Sequence, residues 1–330
     1  MNRRKSQGFT LVELMVSMVL GLVVVGGVIS VLVANRNSYR TNEGLSQVQE
    51  SARTTFELLA RDLRQTGSTG CDNARRMANV LNATPAWWRN WVSVQGFDGV
   101  DAAVTSGTAT NTRVAGTDTL HLHSIEGGGF PVDVHAIAGS TITLSVVAGQ
   151  AISPGDIMMI CDFDHAAIFQ ASGWDGASVI TVATGGTPGN CSTGLGFPTD
   201  CTTPNNYPFP RNAWVGKLQA VTWYIGNNGR VDDGGRSLYR VRLDTGGALV
   251  TEEVVSGVSD MQIEYGRNGS DIVADATAIT AAGEWPLVNS VFVTITVNST
   301  DQRVSTNNAV ATGRLQRTFT YLVALRNRVP

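Results

Sequence analysis

Hydrophobic positions divide the chain into three regimes. Residues 9–34 are apolar almost without a break, and the only charge among them is Glu13. About 26 residues at helical rise are enough to cross a bilayer. The chain then turns polar, yet Leu45, Val48, Ala52, Phe56, Leu59 and Leu63 recur at spacings of three and four. That spacing marks one apolar stripe on a continuing helix. No proline interrupts it before the stop at Gln65-Thr66-Gly67-Ser68-Thr69-Gly70. A helix from Phe9 to Arg64 would run roughly 80 Å, far more than a bilayer needs, so its second half should lie against a globular domain. Gly21, Gly26 and Gly27 are either points of bending or sites where another helix packs closely.

Beyond Gly70 the period changes to two. Alternation predicts strands over 117–124, 132–138 and 141–147, the last two joined as a hairpin across Gly139-Ser140, then over 156–161, 165–171 and 177–183. After a loop rich in Gly, Pro and Asn, strands are expected at 218–225, 237–243, 248–255, 261–265, 288–297 and 316–325. The expected class is α+β: a long N-terminal helix packed on a β-rich globular domain with antiparallel sheets. The expected layout is a leader over 1–8, a membrane or filament-core half-helix over 9–34, an amphipathic half-helix over 35–66, and a β-rich domain over 67–330.

Composition agrees with a folded, loop-rich protein. Of 330 residues 42% are hydrophobic and 15% charged, with 36 glycines. A net charge of −3 and the lack of a basic patch beyond the leader argue against nucleic acid as a partner. Arg3, Arg4 and Lys5 stand before the apolar run with no acid among them. The positive-inside bias therefore keeps 1–8 in the cytoplasm and places the rest outside. A secretory signal is cut after its apolar region, but the only tolerable site of that kind, near Val25-Gly26-Gly27, lies inside the run; cleavage there would release a secreted domain. Cleavage before it, between Gly8 and Phe9, would leave the helix attached, with Glu13 fifth in the mature chain. A carboxylate there is costly in hydrocarbon and calls for a partner of opposite charge.

Gly8-Phe9-Thr10-Leu11-Val12-Glu13 resembles the type IV prepilin processing motif shared by pilins and type II secretion pseudopilins. The resemblance implies a type IV pilin-like fold, removal of the leader after Gly8 by a prepilin peptidase, methylation of Phe9, and packing of the helix in a filament core. There the Phe9 amine of one subunit would compensate the Glu13 carboxylate of its neighbour. Further along, Tyr39-Arg40-Thr41-Asn42-Glu43, Gln49-Glu50-Ser51-Ala52-Arg53, the run from Phe56 to Arg64, and Gly70-Cys71 are similar to the PilW family of minor pilins. So are Gly155-Asp156-Ile157, Cys161-Asp162, Ala167-Ile168-Phe169-Gln170, Tyr224-Ile225, Ser237-Leu238-Tyr239-Arg240 and the block from Val254 to Gly266. Residues 85–97 and 178–211 match poorly. The resemblance implies a role in priming pilus assembly and in the tip complex, with other minor pilins, the major pilin and a tip adhesin as partners. It further implies an inner-membrane precursor with a periplasmic domain, and a place on the cell-surface pilus after assembly. The related J-type pseudopilins are the alternative.

Cys71, Cys161, Cys191 and Cys201 all fall on the exported side, where an even number favours disulfides. Four cysteines allow three connectivities. Cys191 with Cys201, closing a short loop, and Cys71 with Cys161, clamping the helix end to the sheet, form the expected pairing. No Cys-x-x-Cys pair supports zinc.

Weaker chemical signals have plainer explanations. His121 and His123 alternate on one strand and could share a metal with His135 or Asp164, but histidines on a strand are more often hydrogen-bonded or solvated. Asn227, Asn228, Asp232 and Asp233 suit a calcium loop but equally a hairpin turn. Trp87, Trp88, Trp91 and Phe97 make either a partner contact or a cap on the core. Glu252 and Glu253 are adjacent in an alternating strand and so face opposite ways. No nucleophile elbow, phosphate loop or His-Glu-x-x-His motif is present, so neither an enzyme nor a cofactor is expected.

Overall fold

The computed structural model describes residues 10–67, 76–82, 86–89, 91–145, 151–302, 304 and 313–326. Helix α1 (Leu11–Gln65) is a single element of 55 residues, as the two successive hydrophobic patterns predict. It runs without interruption through Gly21, Gly26 and Gly27, and among the described residues nothing outside the helix backbone lies within 4 Å of where a Cβ on any of the three would sit. Residues 10–43 are exposed throughout. Burial begins at Gly44 and continues through Val48, Ala52, Thr55, Leu59, Ala60, Asp62 and Leu63. Leu45 and Phe56 line the margin of that stripe, and Phe56 stacks on Tyr321 with ring centroids 4.2 Å apart. The helix ends as its sequence requires. Thr66 caps it through a bond to Asp62 O, and Gly67 takes a left-handed φ of 70° that a glycine accepts without strain. The Gly67 N–H then reaches His123 O at 3.0 Å, tying the helix exit to the sheet.

The strands are β1 (Arg76–Asn79), β2 (Val94–Phe97), β3 (Thr119–Ile125), β4 (Phe130–Ala136), β5 (Thr141–Leu144), β6 (Ile157–Cys161), β7 (His165–Gln170), β8 (Gly173–Trp174), β9 (Val179–Thr181) and β10 (Trp214–Asn227). There follow β11 (Arg236–Leu243), β12 (Leu249–Ser256), β13 (Val258–Arg267), β14 (Ser270–Ala274), the short helix α2 (Ala276–Ala282), β15 (Val288–Asn298) and β16 (Gln316–Ala324). Twelve strands form one branched sheet and four form a second, in the order β14-β13-β15-β16. Pairing is antiparallel apart from β1 with β7.

Strand β10 joins the parts of the large sheet. Its first residues pair with β6 and β4, its later ones with β3 and β11. A strand with neighbours on both edges and cover on both faces is apolar almost continuously, and β10 is buried from Leu218 onward except at Gln219 and its last residue. In the second sheet, by contrast, the alternation is clean. Met261, Ile263 and Tyr265 of β13 and Val291, Val293, Ile295 and Val297 of β15 turn inward, with intervening positions more exposed. Together with Leu59, Leu63, Leu120, Trp223 and Ile279 they make the main core between α1 and both sheets. A second core, built on Val132, Ile142, Met158, Ile160, Phe169 and Ile180, lies at the β4–β7 end.

The predicted hairpin across Gly139-Ser140 is present as β4 and β5. The strands that alternation misses, β1, β2, β8 and β14, are each five residues or fewer. Helix α2 was also missed, although Asp275 caps it by accepting from Ala278 N–H at 2.7 Å and Gly283 ends it at φ 68°. An N-cap Asp and a capping Gly with seven residues between them are a legible signal.

Candidate assembly site

The amino-terminal end of α1 is built by Thr10 and Glu13. Thr10 has an extended backbone and accepts the Glu13 N–H on its hydroxyl at 3.3 Å, and the same hydroxyl lies 3.5 Å from Glu13 Oε2. This satisfies one of the free N–H groups of the first turn, where a carboxylate is also favoured by the helix dipole. Thr-x-x-Glu is thus a helix-start signal in its own right, one that the sequence reading did not use. Glu13 is exposed, along with Leu11, Val12, Leu14, Met15 and Val16 around it. Among the described residues no group from outside its own helix bonds to it. Gly8 and Phe9, expected to form the processing site, lie outside the described residues. Among the described residues α1 is the one helix long and apolar enough to cross a membrane, by length and composition.

The other end of α1 is locked by a buried polar cluster that no sequence pattern announced. Asp62 is 6% exposed. Its Oδ2 accepts from Trp223 Nε1 at 3.2 Å, and Arg61 Nε donates to Oδ1 at 3.4 Å. Arg240 stands 3.8 Å from the same carboxylate, over the Trp223 ring at 5.6 Å, and pairs with Glu252 at 2.8 Å. Burial pushes the Asp62 carboxyl above the usual range, against the pull of Arg240, Arg61 and the two hydrogen bonds. The helix is therefore fixed in rotation and in register against β10 and β11. Two buried arginines organise loops in a similar way. Arg113 donates to the carbonyls of Val104, Thr117 and Gly99, and Arg314 to those of Ser299, Val231 and Asp232.

The tryptophans and the histidine pair meet. Trp87 lies over both His121 and His123, at 4.8 and 5.7 Å between centroids, with Phe97 against His121 and Trp91 against His123. Trp88 is buried in the core beneath, and Trp87, Trp91 and Phe97 are half-buried, so the cluster covers the core. His121 Nε2 is bonded to Asp101 Oδ2 at 2.8 Å, and Thr119 Oγ1 donates to the same oxygen at 2.7 Å. Burial raises the Asp101 carboxyl, but those bonds and the His121 charge outweigh it and hold the group below its ordinary value. His123 donates Nδ1–H to Val92 O at 2.8 Å, and burial pushes its imidazole down to about 4. The two histidines share a face as expected, yet His135 packs against Phe209 and Asp164 pairs with Arg76. Among the described residues no three metal-donating side chains converge.

The Asn227 to Asp233 segment is the β10–β11 hairpin turn. Asn228 bonds Ser237 Oγ and the Arg230 N–H, and the Asp233 carboxylate is taken by Arg230. Glu252 and Glu253 face opposite ways, the first onto Arg240 and Arg242, the second onto Arg230 and Ser237. Cys191 and Cys201 form a disulfide, as expected from the short loop. Cys161 is buried at the end of β6 and is not a free thiol, while Cys71 lies outside the described residues.

Comparison with known protein families finds the prokaryotic N-terminal methylation motif over residues 3–29. Neither the curated proteins nor the solved structures contain a match to the chain. From Leu11 onward the motif falls on the exposed start of an apolar helix that continues into an α+β domain. Motif and layout together support a type IV pilin- or pseudopilin-like protein, anchored in a membrane by α1.

Proposed function

We propose that this chain is a minor pilin of a type IV pilus, of the PilW kind, acting by assembly and not as an enzyme. Its leader is removed after Gly8, Phe9 is methylated, and α1 holds the subunit in the inner membrane with the β-rich domain in the periplasm. The subunit then joins other minor pilins and the major pilin to prime assembly, and remains near the tip, where an adhesin can be carried. The observation that carries this reading is the division of one continuous helix. Residues 10–43 are exposed and, up to Ala34, almost wholly apolar, whereas Gly44 to Leu63 bury a stripe in the domain. A protruding apolar rod of this length needs lipid or other helices around it. Glu13, exposed near its start, suits pairing with the Phe9 amine of a neighbour in a water-poor core, where opposite charges attract most strongly. The polar residues 35–43 then span the distance from the membrane to the domain.

The absence of a catalytic role is part of the proposal. In the cleft of about 400 Å³ between α1, β10 and β11, Lys217 pairs with Asp156 at 2.8 Å and Arg242 with Asp244 at 3.9 Å, while Arg61 and Arg240 are drawn to Asp62.

The test is the mass and amino-terminal sequence of the mature chain from its native envelope, together with Glu13→Ala. A methylated Phe9 start is expected, and the variant should insert in the membrane normally but enter filaments about tenfold less. An intact Met1, a start near Ser30, or normal incorporation of the variant would refute the reading. Loss of surface pili in a deletion strain separates this role from that of a J-type pseudopilin, whose loss would instead stop exoprotein secretion.

A further inference from the structure

Every sheet in this protein ends in strands whose outer backbone groups face away from the sheet, and these ends are not alike. In the large sheet, β1, β2 and β8 are four residues or fewer. Strand β12 is longer but carries Glu252 and Glu253 and is bulged at Val254, opposite Leu238 and Tyr239. In the small sheet, β14 is five residues long, and the Ser270 hydroxyl takes up both the N–H and the carbonyl of Ile272 at 3.2 Å. Short length, charge and bulges are the means by which proteins blunt sheet edges.

Strand β16 has none of these. It pairs with β15 over nine successive residues with no register shift, contains no proline, and has Arg317 as its only charge. The bonds from Leu325 N–H to Asn289 O and from Ser299 N–H to Leu315 O, both 2.8 Å, place the odd-numbered residues against β15. Gln316, Thr318, Thr320, Leu322 and Ala324 therefore turn their N–H and carbonyl groups outward. Among the described residues only Gln316 O of these has a partner, Arg317 Nη1 at 3.2 Å.

We propose that the free edge of β16 is where an extended strand from a different subunit of the assembly is added to this sheet. The inference rests on the filament reading above. A second β16 does not fit. An antiparallel pair would be related by a two-fold axis normal to the sheet. Because α1 lies along that sheet, with Phe56 on Tyr321, the two apolar rods would then point in opposite directions and could not share one membrane or filament. A parallel pair through the same edge would need a two-fold axis along the strand, which sets the outward groups of the same even-numbered residues face to face, out of phase with the slanted bonds of a parallel ladder. The added strand is thus non-identical, carries a carboxylate opposite Arg317, and presents threonine or aliphatic side chains beside Thr318, Thr320 and Leu322. It continues the threonine ladder already formed by Thr294 with Thr320 and Thr296 with Thr318, at 2.9 and 3.1 Å. Backbone bonds give such additions their affinity, and alternate side chains give their specificity.

Residue-resolved hydrogen exchange on the full chain tests this, comparing chain solubilised in detergent with chain in filaments isolated from cells. The N–H groups of Phe319, Tyr321 and Val323 should be slow in both. Those of Thr318, Thr320 and Leu322 should be fast in detergent and about 100-fold slower in the filament. Leu322→Pro deletes one outward N–H and leaves the bonds to β15, a change that an edge strand tolerates. It should lower incorporation about tenfold while leaving the unfolding temperature in detergent unchanged. Fast exchange at Thr318, Thr320 and Leu322 in filaments, or normal incorporation of Leu322→Pro, overturns strand addition alone. Protection in detergent that grows with chain concentration assigns the edge to a second copy and overturns it as well. Absence of the chain from every filament fraction overturns both this inference and the filament reading.

Discussion

Asp118 and His123 oppose one another as acidity changes, and replacing the first exposes the second. Asp118 is 6% exposed and accepts the Ile263 N–H at 2.7 Å. Burial pushes its carboxyl up to about 6, helped by the Asp98 and Asp260 charges, while the Ile263 bond and Arg113 pull the other way. Relative to an unfolded value of 3.8, the charged form costs the folded state at most about 3 kcal/mol above pH 6, and that cost is relieved as pH falls toward 4. His123 has the reverse sign. Its imidazole stays neutral down to about pH 4, whereas in the unfolded chain it binds a proton below 6.5. Stability from this site is therefore lost as pH falls from 6.5 to 4, by about 3 kcal/mol. In the native chain the two changes nearly cancel over that window. Asp118→Asn keeps an acceptor for Ile263 and removes the titration. The variant should be about 1–3 kcal/mol more stable at pH 7 and should lose about 3 kcal/mol on going to pH 4.5, where the native chain stays nearly level. Denaturant unfolding in detergent, followed by tryptophan fluorescence across that range, reads both quantities. A variant that tracks the native chain from pH 7 to 4.5 would refute the reasoning, as would one less stable at pH 7 by more than about 1 kcal/mol.

Two further changes probe the anchoring of the helix and the loop beside it. Asp62→Ala leaves the buried Trp223 indole N–H without an acceptor and should cost about 2–4 kcal/mol, whereas Asp62→Asn retains one and should cost about half as much; equal losses in the two variants would remove the hydrogen bond as the cause. Replacing Cys191 and Cys201 together by serine opens a loop with a sequence separation of 10 and should cost about 2–3 kcal/mol in the same unfolding assay, with no loss of the β-sheet signal in circular dichroism.

Most of what is local was legible. The stripe Leu45, Val48, Ala52, Phe56, Leu59 and Leu63 is the buried or marginal face of α1, and the alternating segments are strands within a few residues of their expected ends. The Cys191–Cys201 bridge was legible because so short a loop brings its ends together at little entropic cost. Two things escaped. Strand β1 reads Arg-Met-Ala-Asn and has no alternation of its own; it is a strand because β7, about ninety residues further on, supplies a partner. Asp62 lies one residue off the stripe, where the helical pattern gives no reason for burial, and only the approach of Trp223 and Arg240 makes it a buried anchor.

By itself the sequence determined the long helix, its apolar and amphipathic halves, the methylation motif at its start and the strand content that follows. Each of these depends on the nature and spacing of residues within a few turns or a few pleats, where side chains meet through the helical period of 3.6 or the strand period of 2. Only the tertiary structure decided that, among the described residues, the strands divide into a twelve-stranded and a four-stranded sheet, that β10 joins the parts of the larger one, and that β16 is left with an open edge. Those outcomes depend on pairings between segments far apart in the chain, which local periodicity does not encode.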